Sequence, residues 1–199
     1  EARMFKYIYK IINEEYVPEL EMFLGKGSKL PELNRFPKIK FVEAKELFAK
    51  AHPGAQGQQA LLEPDFSPEE EKWLGEYFNK EYSSPIVFIT HYPSVKRPFY
   101  AMDDPADPTY TLSFDMLLNG LEVTTGGQRI HDYEQQVEKM KQRKMDTNEF
   151  EDYLTMHKYG MPPHGGMGLG LERIVQHILG LENIKLATAF PRDRDRLNP

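Results

Sequence analysis

Two carboxylates, Asp115 and Glu122, flank the clearest hairpin signal in this 199-residue sequence. The segment FDMLLNGLEVTTGG contains the pair Asn119-Gly120. Such a pair favours a two-residue type I′ turn, because both central residues of that turn need a positive φ. Pairing outward from the turn places the two acids on one face as diagonal neighbours, with α-carbons about 7 to 8 Å apart. The expected cross-strand pairs are Leu118 with Leu121, Leu117 with Glu122, Met116 with Val123, and Asp115 with Thr124.

This pair of acids is a candidate magnesium site. Two carboxylates so close repel each other unless a positive charge lies between them. Mg²⁺ suits the position because it takes one or two carboxylates together with phosphate oxygens and water. The alternative is a wet face on which both acids are simply solvated, and the pattern leaves both interpretations open. The opposite face is predicted to be core: Phe114, Met116, Leu118, Leu121, Val123 and Thr125.

Arg129 follows the hairpin in the segment TTGGQRIH. Strict alternation directs it away from the carboxylate face, but a bulge at Gly126-Gly127 would reverse that parity. On the carboxylate side, its fixed fork of donors would bind a planar carboxylate or amide. The alternative, which the residues alone favour, is a surface salt bridge with Asp132.

Arg173 lies in the first turn of a helix predicted from the segment PPHGGMGLGLERIVQHILGLEN. A helix N-terminus is already positive, so a cation there is disfavoured unless an anion or an electron-rich ring binds beside it. The glycine run matches neither the Walker pattern nor the dinucleotide fingerprint. The alternative is an exposed arginine at a frayed helix start. The helix has an apolar stripe and ends at Gly180: Leu171, Ile174, Val175, Ile178 and Leu179.

The elements that must position these residues follow from periodicity and capping signals. Helices are predicted over 3–16, 41–50, from the Ser67 cap onward, 133–144, 149–157 and 171–179. Strands are predicted over 85–93, in the hairpin, and as a buried strand over 184–190. Connecting segments are predicted over 25–40 and 51–59, with a turn at 103–108. A solvated helix face is expected to carry Lys139, Lys141, Arg143 and Lys144.

Composition limits the class of protein. With 199 residues, 40% of them hydrophobic, the chain can form one sizeable core. The absence of cysteine excludes disulfides and cysteine metal sites, and a cytoplasmic location is expected. No apolar run approaches the ~20 residues of a membrane span. The net charge of −6 argues against an overall basic surface for nucleic acid. Because the sequence begins at Glu1 rather than Met, we expect it to belong to a longer chain.

Three segments together resemble the C-terminal half of the catalytic domain of class II aminoacyl-tRNA synthetases, in the archaeal-type branch of the aspartyl/asparaginyl group. They are FDMLLNGLEVTTGGQRIHDY, KYGMPPHGGMGLGLERI and FPRDRDRLNP. The glycine-rich turn with Arg173 matches the third signature motif of that class. The match is dense over 85–199 and looser over 1–84. The resemblance implies an α+β fold over residues 1–199, an antiparallel sheet flanked by helices.

The resemblance also implies roles for single residues. Asp115 and Glu122 correspond to positions that hold Mg²⁺ against the ATP phosphates, and Arg129 to the position that binds the amino acid side chain. Arg173 corresponds to the arginine that packs on the adenine ring near the terminal phosphate. The aminoacyl-adenylate pocket is implied to be lined by Tyr92, Thr125 and the backbone around Gly168 and Gly170.

The implied reaction is ATP-dependent activation of aspartate and its transfer to tRNA, by an enzyme expected to be a homodimer. The segments THYP and GGQRIH favour aspartate, with one or both of the aspartate and asparagine tRNAs as acceptor. The alternatives are the asparagine enzyme, a related synthetase that makes asparagine through the same adenylate, and a non-catalytic paralogue. The first two signature motifs and the anticodon-binding domain are not recognisable. The resemblance implies that the second of these motifs supplies an arginine for the α-phosphate. We therefore expect residues 1–199 alone to be inactive.

Overall fold

A computed structural model describes residues 1–198, so Pro199, the last residue of the expected domain, lies outside the described residues. The helices are α1 Ala2–Glu15, α2 Val17–Leu24, α3 Phe41–Ala51, α4 Ala55–Leu62, α5 Pro68–Tyr82, α6 Tyr133–Gln142, α7 Glu151–Lys158 and α8 Leu171–Leu179. The strands are β1 Lys38–Lys40, β2 Ile86–Thr90, β3 Asp103–Asp104, β4 Asp107–Thr111, β5 Ser113–Leu118, β6 Leu121–Arg129 and β7 His164–Leu169. None of these helices is long and apolar enough to cross a membrane.

Five strands form the main sheet in the order β1-β2-β5-β6-β7. The β1–β2 pair is parallel, and every other neighbouring pair is antiparallel. Strands β3 and β4 form a separate antiparallel pair. The predicted α+β class, an antiparallel sheet flanked by helices, is confirmed.

The hydrophobic core lies on both faces of this sheet. Strand β2 alternates between them, since Ile86 and Phe88 face one cluster while Val87 and Ile89 face the other. A strand buried on both faces reads as a continuous apolar run, which is why IVFI shows no polar alternation. One cluster joins β2, β5 and β6 to α1, α2 and α8, and the other joins β2 and β5 to α3 and α5.

The capping signals define the two helices nearest the site. Ser67 Oγ accepts a hydrogen bond from the Glu70 amide, and Glu70 accepts one from the Ser67 amide, so α5 begins with a capping box. Helix α8 ends at Gly180, which has a left-handed backbone (φ 62°). Both boundaries agree with the sequence prediction.

The hairpin between β5 and β6 contains a bulge that the sequence did not locate. Asn119 and Gly120 have φ of 50° and 78°, as the predicted turn requires. The pairs Leu118 with Leu121 and Leu117 with Glu122 are as predicted. Beyond them the register shifts by one residue, so that Met116 pairs with Thr124 and Asp115 with Thr125. The predicted pairs of Met116 with Val123 and Asp115 with Thr124 are therefore wrong.

Packing explains where the bulge lies. Val123 and Thr124 are consecutive, yet both are buried, which strict alternation on a half-exposed strand would not allow. The extra residue moves Thr125 from the predicted core face to the face of Asp115. The parity change expected for Arg129 therefore occurs, but at Val123 instead of Gly126-Gly127.

Three other local predictions are wrong. Residues 184–190 are not a buried strand: Ile184–Ala187 form an exposed 3₁₀ turn that Asn183 caps. The predicted loop 51–59 contains the start of α4, because Gly57 permits close packing on α3, where a Cβ would meet the His52 carbonyl. The predicted glycine-rich turn is strand β7, paired with β6 over six residue pairs.

Candidate active site

The candidate site is one exposed face of strands β5, β6 and β7. Asp115, Thr125 and Gly168 pair across these strands and form a single row. Asp115 is only 4% exposed, whereas Thr125 and Gly168 are open to solvent. A side chain at Gly168 would meet no atom within 4 Å. The row therefore has a buried carboxylate at Asp115 and solvent-exposed backbone at Gly168.

Arg97 binds the buried end of this row. Its Nη2 lies 2.6 Å from Asp115 Oδ2, and its Nη1 donates to Thr125 Oγ1 at 3.1 Å. The Thr125 hydroxyl in turn donates to Asp115 Oδ1. The guanidinium carbon lies 3.9 Å from the ring centroid of Tyr92, a cation–π contact. Arg97 thus connects Tyr92, Asp115 and Thr125, three of the predicted site residues.

The backbone of Glu122 is held from two sides. Its amide donates to Glu71 Oε2 of α5 at 3.3 Å. Its carbonyl accepts a hydrogen bond from Arg173 Nη1 of α8 at 2.7 Å. The amide of Gly170, which precedes α8, donates to the Val123 carbonyl at 2.8 Å. The start of α8 is therefore fastened beside Glu122, and Arg173 lies at the site despite its unfavourable place in the helix.

The acids of this region disfavour one another's charge. The pKa of Glu71 is raised to about 7, mainly by burial and also by the charges of Glu122 and Asp115, while the Glu122 amide and Arg173 act in the opposite direction. Burial, and after it the charge of Asp115, also raises the pKa of Glu122. Burial and the Asp115 charge raise the pKa of the Tyr92 hydroxyl well above its usual value. A cation near Glu122 would relieve this repulsion.

These carboxylates fit a magnesium ion that is shared with phosphate. Two protein carboxylates are the number that Mg²⁺ takes when phosphate oxygens and water complete its shell. Both oxygens of Asp115 already accept hydrogen bonds, but a carboxylate offers about four lone-pair sites. Within residues 1–198, no group of three or more His, Asp or Glu side chains could hold a metal ion. Asp115 and Glu122 therefore suit an ion that arrives with its ligand, and no closed protein cage.

Arg129 lies on the same strand beyond Thr125. Its guanidinium carbon is 4.9 Å from the Tyr100 ring centroid. It lies over Gly166 of β7, where a Cβ would be 2.8 Å from Arg129 Nη2. Asp132, the alternative salt-bridge partner, caps α6 instead by accepting a bond from the Gln135 amide. A cavity of about 290 Å³ is lined by Arg97, Tyr100, Thr125, Arg129, Gly166 and Gly168, among others.

The structure brings four predicted residues to one face: Asp115, Glu122, Thr125 and Arg129. Arg173 reaches this face from α8, whereas Tyr92 is buried in the core beneath Arg97. The Val123 bulge aligns Glu122, Thr125 and Arg129 along β6 on the side of Asp115. The sequence prediction missed Arg97 and Glu71. Glu71 lies in the capped first turn of α5, where the helix dipole already accounts for an acid. Arg97 lies in an irregular segment with no periodicity, so no local pattern pointed to it.

Comparison with known proteins gives one consistent result. Residues 2–194 match the family described as tRNA synthetases class II (D, K and N). The aspartate–tRNA(Asp/Asn) ligase of Thermus thermophilus is 46% identical over 163 residues, which are 82% of this chain and 37% of the relative. The aspartate–tRNA(Asp) ligase of Thermoplasma volcanium is 42% identical over 175 residues, 88% of this chain and 38% of the relative.

Solved structures agree with this result. The aspartyl-tRNA synthetase of Entamoeba histolytica has a TM-score of 0.89 at 32% identity, covering 100% of this chain and 40% of that one. The asparaginyl-tRNA synthetase of Pyrococcus horikoshii has a TM-score of 0.83 at 31% identity, covering 100% of this chain and 46% of that one. The chain spans less than half the length of each of these relatives. It belongs to the class II tRNA synthetases of the D, K and N group.

Proposed function

We propose that residues 1–199 form the C-terminal portion of the catalytic domain of an aspartate–tRNA ligase. The observation that carries this proposal is the bulge at Val123, which aligns Glu122, Thr125 and Arg129 on the Asp115 side of the sheet. One face of β6 then presents a carboxylate suited to a metal ion and phosphate at one end and an arginine fork at the other. The names of the relatives from Thermus thermophilus and Thermoplasma volcanium support aspartate as the amino acid.

At the amino acid end, Arg129 donates its planar fork to the side-chain carboxylate of aspartate. Tyr100 beneath it and Gly166 beside it fix the direction of the guanidinium. Thr125 lines the same region, and Tyr92 supports it from the core through the contact with Arg97 that both residues share. This arrangement supports selection of a small acidic substrate.

At the nucleotide end, Arg173 is exposed at the start of α8, so its guanidinium plane is available to an adenine ring. The open strand at Gly168 and the turn at Gly170 let the nucleotide approach the backbone. Mg²⁺, when bound, supplies positive charge to the phosphate oxygens. Glu122 and Asp115 are the side chains that would hold it.

The proposed reaction has two steps. An oxygen of the α-carboxylate of aspartate attacks the α-phosphorus of ATP. The bond from that phosphorus to the oxygen that bridges to the β-phosphorus breaks, and pyrophosphate leaves. The terminal ribose hydroxyl of tRNA then attacks the acyl carbon, AMP leaves, and the hydroxyl proton passes to solvent. The protein forms no covalent bond in either step. Its arginines orient the reactants and neutralise developing charge, which is the usual contribution to phosphoryl chemistry.

An asparagine–tRNA ligase is the second candidate, together with an adenylate-forming asparagine synthetase. The similar asparaginyl-tRNA synthetase of Pyrococcus horikoshii, which is also solved with asparaginyl-adenylate, favours it. The Arg129 fork could donate to an amide oxygen as well as to a carboxylate. A non-catalytic paralogue is less well supported, because a protein without ATP gains nothing from two acids that repel each other. A homodimer, a tRNA partner and a cytoplasmic location belong to the same proposal.

The first experiment is ATP–pyrophosphate exchange by the intact protein that contains this chain, with aspartate and asparagine as separate substrates. Exchange with aspartate supports the ligase proposal. Exchange with asparagine alone assigns Arg129 to amide recognition and favours the second candidate. The absence of exchange with either substrate, in a protein that melts cooperatively, contradicts the proposal. Glu122→Ala should abolish the exchange if the site works as proposed.

A further inference from the structure

Three side chains of α6 and its C-terminal cap bind a single irregular segment, residues 94–103. Lys139 Nζ donates to Ser94 Oγ at 2.7 Å and forms an ion pair with Asp103. Gln136 Nε2 donates to the Phe99 carbonyl at 3.0 Å, and Arg143 donates to the Ser94 carbonyl. The sequence prediction placed Lys139 and Arg143 on a solvated face, and this is wrong. Lys139 is only 5% exposed, and Gln136 is fully buried.

A buried lysine requires partners, because removing its charge from water is costly unless hydrogen bonds or an opposite charge compensate. The partners of Lys139 are Ser94 and Asp103, which are nine residues apart in sequence. The ammonium group therefore connects the two ends of the 94–103 segment. Such a crosslink restricts a segment that has little regular structure of its own.

The opposite side of this segment contacts the amino acid end of the candidate site. Arg97 reaches Asp115 and Thr125 and lies on the Tyr92 ring. Tyr100 lies against the guanidinium of Arg129. The segment 94–103 therefore contains both Arg97 and the Tyr100 ring that packs on Arg129. Helix α6 contacts the other side of this segment.

We propose that Lys139 is a positioning residue for the amino acid end of the site. By connecting Ser94 and Asp103, it fixes the path of the segment so that Arg97 reaches Asp115 and Tyr100 supports Arg129. The expected change in kinetics rests on the proposed function. The expected change in the structure of residues 94–103 rests only on their contacts with α6. Of the residues proposed to bind the nucleotide and its magnesium ion, Asp115 contacts this segment through Arg97. The hydrogen bonds of the Glu122 backbone go instead to Glu71 and Arg173, outside the segment. The effect on the two substrates is therefore unequal.

The test compares Lys139→Met with Lys141→Met in the intact protein. Lys141 is exposed on the same helix, so its variant makes the same chemical change without the crosslink. In pyrophosphate exchange we expect Lys139→Met to raise KM for aspartate about tenfold, since small displacements of positioning groups have effects of this order. KM for ATP should rise less than KM for aspartate, because only Asp115 of the proposed nucleotide-binding residues contacts the segment. Lys141→Met should match the unsubstituted protein. Asp103→Asn should produce a smaller change in the same direction.

Amide hydrogen exchange separates this inference from the proposed function. Lys139→Met should accelerate exchange at residues 94–103 whether or not the protein activates aspartate. If the unsubstituted protein activates neither amino acid but the amides respond, the proposed function fails and the structural role stands. Unchanged exchange over 94–103, or equal rises of KM for aspartate and ATP, overturns the inference. If Lys139→Met does not fold, the KM values and the amide hydrogen exchange are measured with Asp103→Asn and judged by the same criteria.

Discussion

The Arg97 guanidinium joins Asp115, Thr125 and the Tyr92 ring, and both members of the Arg97–Asp115 pair are largely buried. Arg97→Met should lower the free energy of unfolding by about 3 kcal/mol, because it leaves the Asp115 charge buried without its partner. Urea denaturation measures this loss. Lys96→Met is the matched control, since Lys96 pairs with Asp65 at 3.8 Å on the surface and should contribute under ~1 kcal/mol. Equal losses in the two variants would contradict the assignment, whereas adding Asp115→Asn to Arg97→Met should recover part of the stability.

Glu71 makes stability depend on pH in a defined direction. Its pKa is raised from an ordinary value of 4.5 to about 7 in the folded protein, so the folded state binds the proton more tightly than the unfolded chain does. The contribution of Glu71 to the free energy of unfolding is fully present below pH 4.5 and is lost as pH rises through about 7. The measurement is denaturation between these values with Glu71→Gln beside the unsubstituted protein. The difference in unfolding free energy should change across this window, and a constant difference would exclude a raised pKa.

At the scale of elements, strand β7 places two glycines under different parts of the site. A Cβ at Gly166 would lie 2.8 Å from Arg129 Nη2, whereas a Cβ at Gly168 meets open space. Gly166→Ala should therefore push the guanidinium aside and raise KM for aspartate about tenfold, with little loss of stability because the side chain can bend. Gly168→Ala should instead affect KM for ATP. Steady-state pyrophosphate exchange measures both KM values. If either variant raised KM for aspartate and KM for ATP equally, the two glycines would not serve different substrates.

The hairpin shows how far the sequence determines these elements. Asn119-Gly120 requires a turn by its own backbone preference, so the turn and the first two cross-strand pairs were predictable. The bulge at Val123 lies where that residue packs in the core with Ile174 and Ile178 of α8, which are distant in sequence. Arg97 and Lys139 were missed for the same reason, because their partners lie 18 to 45 residues away. Local patterns singled out Asp115, Glu122 and the arginines at 129 and 173, while tertiary contacts decided which face they share.

At the scale of the whole molecule, the chain covers less than half the length of the relatives named above. Under the proposed function, its residues supply only one side of a nucleotide site. In that proposal, Arg173 binds the adenine ring, and Glu122 and Asp115 hold the metal ion at the terminal phosphates. The resemblance assigns the α-phosphate arginine to a second motif that is not recognisable in this sequence. Positioning supplies most of the rate in such chemistry, so a missing α-phosphate contact should be decisive.

We therefore expect the isolated polypeptide 1–199 to fold without catalysing pyrophosphate exchange, while the intact protein is active. Circular dichroism and a cooperative melt establish that the isolated chain is folded, and exchange with aspartate at saturating ATP and Mg²⁺ tests the activity. Glu122→Ala in the intact protein provides the matching inactive reference. Exchange by a folded 1–199 chain above that reference would mean that these residues alone orient the α-phosphate. Arg97 would then be the first group to test for that role, because it lines the open cavity beside Thr125.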